Sequence, residues 1–376
     1  MKVYAYKVVM GELRFKSSED EQKILSLMEA WRKAINDSQR RDWHMGVLPK
    51  LLQRTAGEFI EQQRKSREAR RIKGEPVLHR WMVQLYPDYA RFKNMDLRSV
   101  AITTLDPRQP IVAEFRCRRS RLLMEALNSP LRDGSERRHV LEVCNPRLIW
   151  DRDDKLYLIY TVRKLVEIST LDDLKSLDQF IFLSVDINTS DVAMGVFKHP
   201  EMRQLIFHRF SWNYGELEHA QKVINYSKSV HGNAEKTAKT WKAWLRRRRR
   251  SVAHEAVHNV MATALNYGAK AIVTERLSNN FRYKNSRKVN RRVSEWLRGT
   301  ISKDLRNKAA WNGLPTLLVG SYRNSKTCRC GNTMTYKKPG NYHLMTCKRC
   351  GFTDDRDHIA THNIAWRFSE RLTAPR

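Results

Sequence analysis

The opening residues, KVYAYKVVM, alternate apolar and polar positions, and that period of two predicts a strand with one buried face. The spacing then changes. Ile24, Leu27, Met28, Trp31 and Ile35 recur at helical intervals behind Ser18 and Glu21, whose separation matches a capping box. LLQRTAGEFIEQQRKSREARRIK and WMVQLYPDYARFKNM extend the same helical, strongly basic reading. From Ile111 the strand pattern returns. Leu148, Ile149 and Trp150, the turn at 151–154 and the run KLYLIYTV predict a hairpin. The first half therefore predicts a β module with helices inserted into it.

Beyond the polar stretch STLDDLKSLDQ a second block begins. IFLSVDI is a continuous apolar run suited to a strand buried on both faces, and VAMGVF and LIFHRF predict two antiparallel successors. Ala253, Ala256, Val257, Val260, Met261, Ala264 and Leu265 form an apolar helical stripe that Gly268 can stop. A strand over 271–274, a helix over 293–311 ended by Gly313, a strand over 316–319 and a last helix complete the block. Three antiparallel strands followed by helix, strand, helix, strand and helix is the element order of an RNase H-like fold. With the β module, the fold class expected is α/β plus α+β.

Three acids stand at the borders of these apolar elements: Asp186 after the first strand, Glu275 after the fourth, and Asp357 at the head of the last helix. A carboxylate is costly there unless it has a partner or a task. Converging carboxylates suit two divalent ions that activate water and stabilise the leaving oxygen of a phosphodiester, and oxygen ligands favour Mg²⁺. Asp191 is a nearby alternative; Asp354 and Asp355 fit better as a helix cap or as surface of a metal-binding lobe.

Charge narrows the partner. Lys and Arg number 71 against 40 acidic residues, a formal net charge of +31 in 376 residues, and a polyanion is the natural counterpart. A length of this order allows two or three domains. In WKAWLRRRRR the helical spacing of Trp241 and Trp244 suggests a helix packed on one side and phosphate-facing on the other, with Trp241, Arg246, Arg247, Arg248, Arg249 and Arg250 offered to RNA or DNA, and Arg116, Arg118, Arg119 and Arg121 offer a smaller basic cluster. Arg282, Tyr283 and Lys284 follow Glu275 on a basic segment that could gate the site. No apolar run reaches the length of a membrane span and the start lacks a signal-peptide core, so a cytosolic protein is expected.

Cys328, Cys330, Cys347 and Cys350 cluster late, away from Cys117 and Cys144, and four soft ligands point to one structural Zn²⁺ rather than to disulfides. The first pair is a tight C-x-C, which leaves His343 open as a substitute ligand. His254-Glu255-Ala256-Val257-His258 matches the H-E-x-x-H pattern of zinc proteases. Glu275 could be sought as its third ligand, although it follows a strand where such sites use a helix.

With these residues in view, the second half resembles TnpB, the transposon-encoded family related to type V CRISPR effectors. VDINTSDVAMGVF, VHNVMATALNYGAKAIVTERL, SYRNSKTCRCG and CKRCGFTDDRDHIATHNIAW carry the resemblance. It departs from the family at the short C-x-C and at Ile359, where Asn is common. The resemblance implies a wedge-like, β-barrel-like module at 1–18 and 108–170 with a helical recognition domain at 19–107 inserted. It also implies a RuvC-like nuclease domain at 179–321 and 353–376 holding a zinc ribbon at 322–352. The catalytic acids carried over are Asp186, Glu275 and, heading D-x-x-A-x-x-N-I, Asp357. Implied with them are a guide RNA, cleavage of double-stranded target DNA beside a short adjacent motif, and action at the nucleoid of a prokaryotic cell. A miniature type V effector with the same chemistry, a guide-bound repressor and an unguided structure-specific nuclease are the competing expectations.

Overall fold

Alternation along the first strand is carried through. In β1 (Lys2–Arg14) Ala5, Val9 and Leu13 are buried while Tyr4, Tyr6, Val8 and Met10 face outward. The computed structural model describes residues 1–37, 48, 50–69, 82–85, 90–92, 97–106, 108–117, 120–127, 141–144, 146–151, 155–229, 234–276, 297–338 and 341–374. They divide into two compact units, one of residues 4–165 and one of residues 1–3 and 166–376.

In the first unit α1 (Ser18–Asp37) and α2 (Lys50–Ala69) follow β1. The α1 cap lies one residue earlier than the sequence suggests: Ser17 Oγ accepts the Asp20 amide at 3.1 Å, so Ser18 is already helical. The described residues of WMVQLYPDYARFKNM, 82–85 and 90–92, are not helical. They contribute β2 (Met82–Gln84), paired with β7 (Arg147–Trp150), and β3 (Ala90–Phe92), paired with β4 (Ser99–Ile102). Val83 and Leu85 are both fully buried, a spacing of two, and Pro87 disfavours helical backbone in the residue before it. The expected hairpin is present, β7 against β8 (Leu156–Glu167). With β5 (Ile111–Cys117) the hydrogen-bonded order is β2-β7-β8-β1-β5-β4-β3, and β6 (Leu141–Val143) also pairs with β8; α3 (Ser120–Leu127) follows β5.

The second unit is built on β9 (Phe180–Ile187), preceded by the short α4 (Leu171–Lys175). β10 (Asp191–His199) and β11 (Arg203–Ser211) continue as an antiparallel meander. On the other edge β12 (Ala271–Arg276) and β13 (Thr316–Gly320) run parallel to β9, giving the order β11-β10-β9-β12-β13. The connections are α5 (Tyr214–Ser229) and α6 (Ala234–Asn266) before β12, and α7 (Arg298–Trp311) before β13. Gly268 and Gly313 take left-handed backbone, φ 64° and 75°, and end α6 and α7 as their positions suggested.

Both faces of this sheet are covered, which is why β9 reads as unbroken apolar sequence. Leu183, Val185 and Ile187 pack with residues of α5, α6 and α7. Phe180, Phe182, Val273 and Val319 pack on the opposite face against Ile364, Ala365 and Phe368 of the last helix, α8 (Arg356–Thr373). Ser184 lies on the α8 face too, and its hydroxyl donates to the Thr361 carbonyl at 2.7 Å, so that buried hydroxyl is satisfied. Between β13 and α8 sits a small antiparallel sheet of β14 (Met334–Lys338), β15 (Asn341–Cys347) and β16 (Thr353–Asp355).

Gly195 shows how closely α8 is seated. A Cβ there would meet Phe197 Cε2 at 2.6 Å and Thr361 Cβ at 3.4 Å, with Phe197 fully buried. Gly195→Ala is therefore expected to destabilise this unit by about 1–3 kcal/mol, the usual cost of overpacking. Thermal denaturation of the full chain checks this, and an unchanged melting temperature would contradict the close seat.

Candidate carboxylate site and cysteine cluster

Register across the sheet collects the acids. Ala193 of β10 pairs with Asp186 on one side and with Arg209 of β11 on the other. Thr274 of β12 pairs with Val185, so the next step in that parallel register sets Glu275 beside Asp186. Directly paired residues share a face. Asp186, Ala193, Arg209 and Glu275 thus form one row facing α8, with the smallest side chain in the middle. Asp357, in the first turn of α8, faces that row: Arg209 Nη2 reaches its Oδ2 at 3.1 Å.

Asp186 and Asp357 are buried, at 7% and 1% exposure. Burial drives the Asp186 carboxyl well above the ordinary carboxylate range, and the charges of Glu275 and Asp357 push it further. Asp357 is raised as well, by burial and by Asp191, against the pull of Arg356 and Arg209. Arg356 binds Asp357 Oδ1 at 3.2 Å, so each Asp357 oxygen takes one guanidinium and keeps a lone pair. Glu275 Oε1 accepts from Asn324 Nδ2 at 2.6 Å. Asn188 Nδ2 bridges Asp186 at 3.3 Å and Asp191 at 3.0 Å, which brings Asp191 in as a third buried acid beside the half-buried Glu275. Asp355 caps α8 by accepting the amides of Asp357 and His358, and it also holds Arg209 at 2.6 Å. Asp354 pairs with His358 Nδ1 at 2.7 Å.

Arg209, Arg356, Asn188 and Asn324 were not singled out from sequence. Arg209 alone left a signal, a cation at an inward position of the alternating strand LIFHRFS. The others depend on turns whose direction no local pattern encodes.

The cysteines gather as the sequence suggests. Sγ atoms of Cys328, Cys330, Cys347 and Cys350 all lie within 4.8 Å of one another, with Cys328–Cys350 and Cys330–Cys347 at 3.5 Å. Tetrahedral thiolates around Zn²⁺ with bonds of about 2.3 Å stand ~3.8 Å apart, so this set fits a structural zinc ion. His343 is exposed and outside the group, and the short C-x-C places both of its thiols in the group. It does so because Gly331, at φ 81°, closes a turn onto the Cys328 carbonyl at 2.8 Å. Hydrogen bonds from Asn332 bring the Cys330 thiol down to about 6, favouring the thiolate a metal needs. Cys328 and Cys347 pack with Met334, Met345 and Ile359. Ile359, the departure noted in the last motif, is the apolar contact that seats this small sheet on α8.

Other candidates are placed differently. Arg246, Arg247 and Arg250 are exposed on α6, but Arg248 is paired with Glu216 at 3.3 Å and Arg249 is partly buried. Trp241 and Trp244 are partly buried and pack against the core, with ring centroids 5.6 Å apart. Arg116 and Arg121 are exposed and pair with Glu114 and Glu125. Arg118, Arg119, Arg282, Tyr283 and Lys284 lie outside the described residues. His254, Glu255 and His258 are exposed on α6, on the sheet face opposite Glu275, and among the described residues no third ligand joins them. The protease pattern is not assembled.

Comparison with known proteins adds to this geometry. Residues 299–364 match the family model described as Cas12f1-like, TNB domain, from α7 through the cysteine sheet into α8. A TnpB-like protein of Methanocaldococcus jannaschii is 32% identical over 114 residues, covering 30% of this chain and 40% of that protein. The match therefore spans well under half of the relative's length. The resemblance to TnpB carried by the motifs is borne out. Among solved structures, the mini-RNA-guided endonuclease CRISPR-Cas phi3 aligns over 100% of this chain and 94% of its own at a TM-score of 0.54 and 11% identity, a likeness of fold. Among the described residues no helix is long and apolar enough to cross a membrane.

The raised Asp186 has a thermodynamic consequence. Between the unfolded carboxylate range and its higher folded pKa, the folded chain binds more protons than the unfolded one, so stability is lost as pH rises through that window. Asp186→Asn is expected to raise the melting temperature in magnesium-free buffer near neutral pH by about 2–4 °C, the shift that ~1 kcal/mol gives a unit of this size. The gain should fade in acid; a lower melting temperature at neutral pH contradicts it. Cys347→Ser is expected to lower bound zinc and solubility together, read by metal analysis of the purified chain, and full zinc with normal folding would refute the ribbon assignment.

Proposed function

We propose that the chain is an RNA-guided DNA endonuclease whose RNase H-like, RuvC-type domain carries Asp186, Glu275 and Asp357 as catalytic acids. The observation that carries this reading is the row of acids on one sheet face opposite the first turn of α8, just after the cysteine sheet. Domain limits near 179–321 and 353–376 for the nuclease, 322–352 for the ribbon, 1–18 with 108–170 for a wedge-like module and 19–107 for a recognition domain go with it.

Asp186, Glu275 and Asp357 would hold two Mg²⁺ ions, which when bound supply an activated water and a stabilised leaving oxygen for phosphodiester hydrolysis. The donor set fits: all are oxygen ligands, and acids this crowded are stable as carboxylates beside cations. Asp186, which feels the charges of both Glu275 and Asp357, would be held in common with them as a metal ligand. Arg356 and Arg209 fix the Asp357 carboxylate, and Asn324 fixes Glu275. Zn²⁺ on the four cysteines folds a sheet with little core of its own.

Substrate binding follows from charge. A guide–target heteroduplex is held by its backbone and shape, which calls for many cations and few base contacts. The surplus of +31 and the exposed Arg246, Arg247 and Arg250 supply them; Arg118 and Arg119 would add to these. The first unit would read the motif beside the target, with action on the nucleoid in the cytoplasm. A miniature type V effector is the second reading, favoured by the fold-level likeness to CRISPR-Cas phi3 and identical in chemistry. A repressor that binds without cutting would have no use for crowded acids, Asp186 and Asp357 among them buried, that cost stability.

Purification with co-bound nucleic acid, sequencing of that RNA and a plasmid cleavage assay programmed by it test the proposal. A discrete RNA and guided cleavage that Asp186→Ala lowers by at least about 10³-fold are expected, the scale of losing ~4 kcal/mol of transition-state stabilisation. Absence of a discrete RNA, with DNA cutting unchanged in Asp186→Ala, overturns it.

A further inference from the structure

Asn324 is almost wholly buried, at 2% exposure, in the connection that leaves β13 for the cysteine sheet. Its neighbours point outward: Tyr322 is 71% exposed, and Arg323 takes left-handed backbone at φ 55°. That conformation is costly for a residue with a Cβ and persists where the surroundings enforce it. Here it turns the chain so that the Asn324 side chain enters the space beside Glu275.

The surroundings do enforce it. Asn363 of α8 donates to the Asn324 carbonyl at 2.6 Å and to the Thr327 carbonyl at 2.8 Å. Arg367, one turn further along α8, holds the Gly320 carbonyl at 2.9 Å. The segment is thus clamped to the helix that carries Asp357, directly ahead of Cys328.

The Asn324 amide has a determined orientation. Nδ2 lies 2.6 Å from Glu275 Oε1 and 3.0 Å from the Gly320 carbonyl, both acceptors, so the NH₂ end must face them. A bond to a carboxylate is charge-assisted and among the stronger ones a neutral amide makes. Oδ1 is left buried with no hydrogen-bond donor from the protein among the described residues, an acceptor suited to a water held in the site. A residue that only capped the turn at Gly320 would not need to touch the carboxylate.

We propose that Asn324 is a positioning residue that fixes the Glu275 carboxylate for divalent-metal binding, through a segment clamped by Asn363 and Arg367. This rests on the carboxylate site proposed above. Groups that orient a metal-binding carboxylate cost about 10–100-fold in metal affinity when removed.

The test is Mn²⁺ binding to the purified full chain with its co-purified nucleic acid, followed by electron paramagnetic resonance, with zinc content measured on the same samples. Asn324→Ala is expected to weaken Mn²⁺ binding about tenfold or more with zinc retained, and to move the Mg²⁺ midpoint of cleavage upward in step while activity at saturating Mg²⁺ largely returns. If Asn324→Ala loses zinc, Asn324→Ser is used, which keeps a hydroxyl for the Gly320 carbonyl but is too short for Glu275; the same weakening is expected. Unchanged Mn²⁺ binding in a zinc-retaining variant overturns the role of Asn324, provided Asp186→Ala and Glu275→Gln abolish binding. If those two leave Mn²⁺ binding intact, the carboxylate site itself fails, and the proposal with it.

Discussion

The seat of α8 on the five-stranded sheet is the contact on which the rest of the second unit depends. Phe368 and Ile364 fill it, Gly195 admits it, and the Ser184 hydroxyl bonds the Thr361 carbonyl within it. Because the first turn of that helix carries Asp357 and its cap Asp355, the same seat brings the third acid over the strand ends. Because Ile359 and Asn363 lie on the helix, it also receives the cysteine sheet and the segment bearing Asn324. One packed interface therefore sets the geometry of the acids, the ribbon and the link between them.

Electrostatics oppose that packing. Four acids, Asp186, Asp191, Glu275 and Asp357, meet near a buried sheet edge, and desolvation is the largest influence on both Asp186 and Asp357. Arg209 and Arg356 offset part of this at Asp357, and amides from Asn188 and Asn324 do so at Asp186 and Glu275. Such a site is destabilising by itself and is retained where the charges have work to do. The zinc-type cluster is the opposite case. Its thiolates meet in a sheet whose own apolar core amounts to Met334, Met345 and Phe352, with Ile359 added by α8, so a metal would hold together what burial cannot.

Much of this was legible along the chain. The β9–β10–β11 meander, the glycine stops at Gly268 and Gly313 and the cysteine group follow from periodicity, backbone freedom and ligand spacing. Where reading failed, a local signal was outweighed by pairing. WMVQLYPDYARFKNM carries enough basic and apolar residues to suggest a helix, yet β2 and β3 are drawn into a sheet by β7 and β4, which lie 65 and 9 residues further on from Met82 and Ala90. The arginine run looked uniform, but a helix distributes consecutive residues around its axis. Arg248 and Arg249 accordingly turn inward while Arg246, Arg247 and Arg250 remain outside.

The sequence by itself determined the inventory: which strand ends carry acids, which thiols can share a metal, and a charge suited to a polyanion. Those are properties of residue type and short-range spacing, written in the chain before it folds. Only the tertiary structure decided that Arg209 and Arg356 share Asp357, that Asp355 caps while Asp357 faces the sheet, and that Asn324 reaches Glu275 across 49 residues of chain. Those contacts depend on register across strands and on the seat of one helix, and no local pattern encodes either.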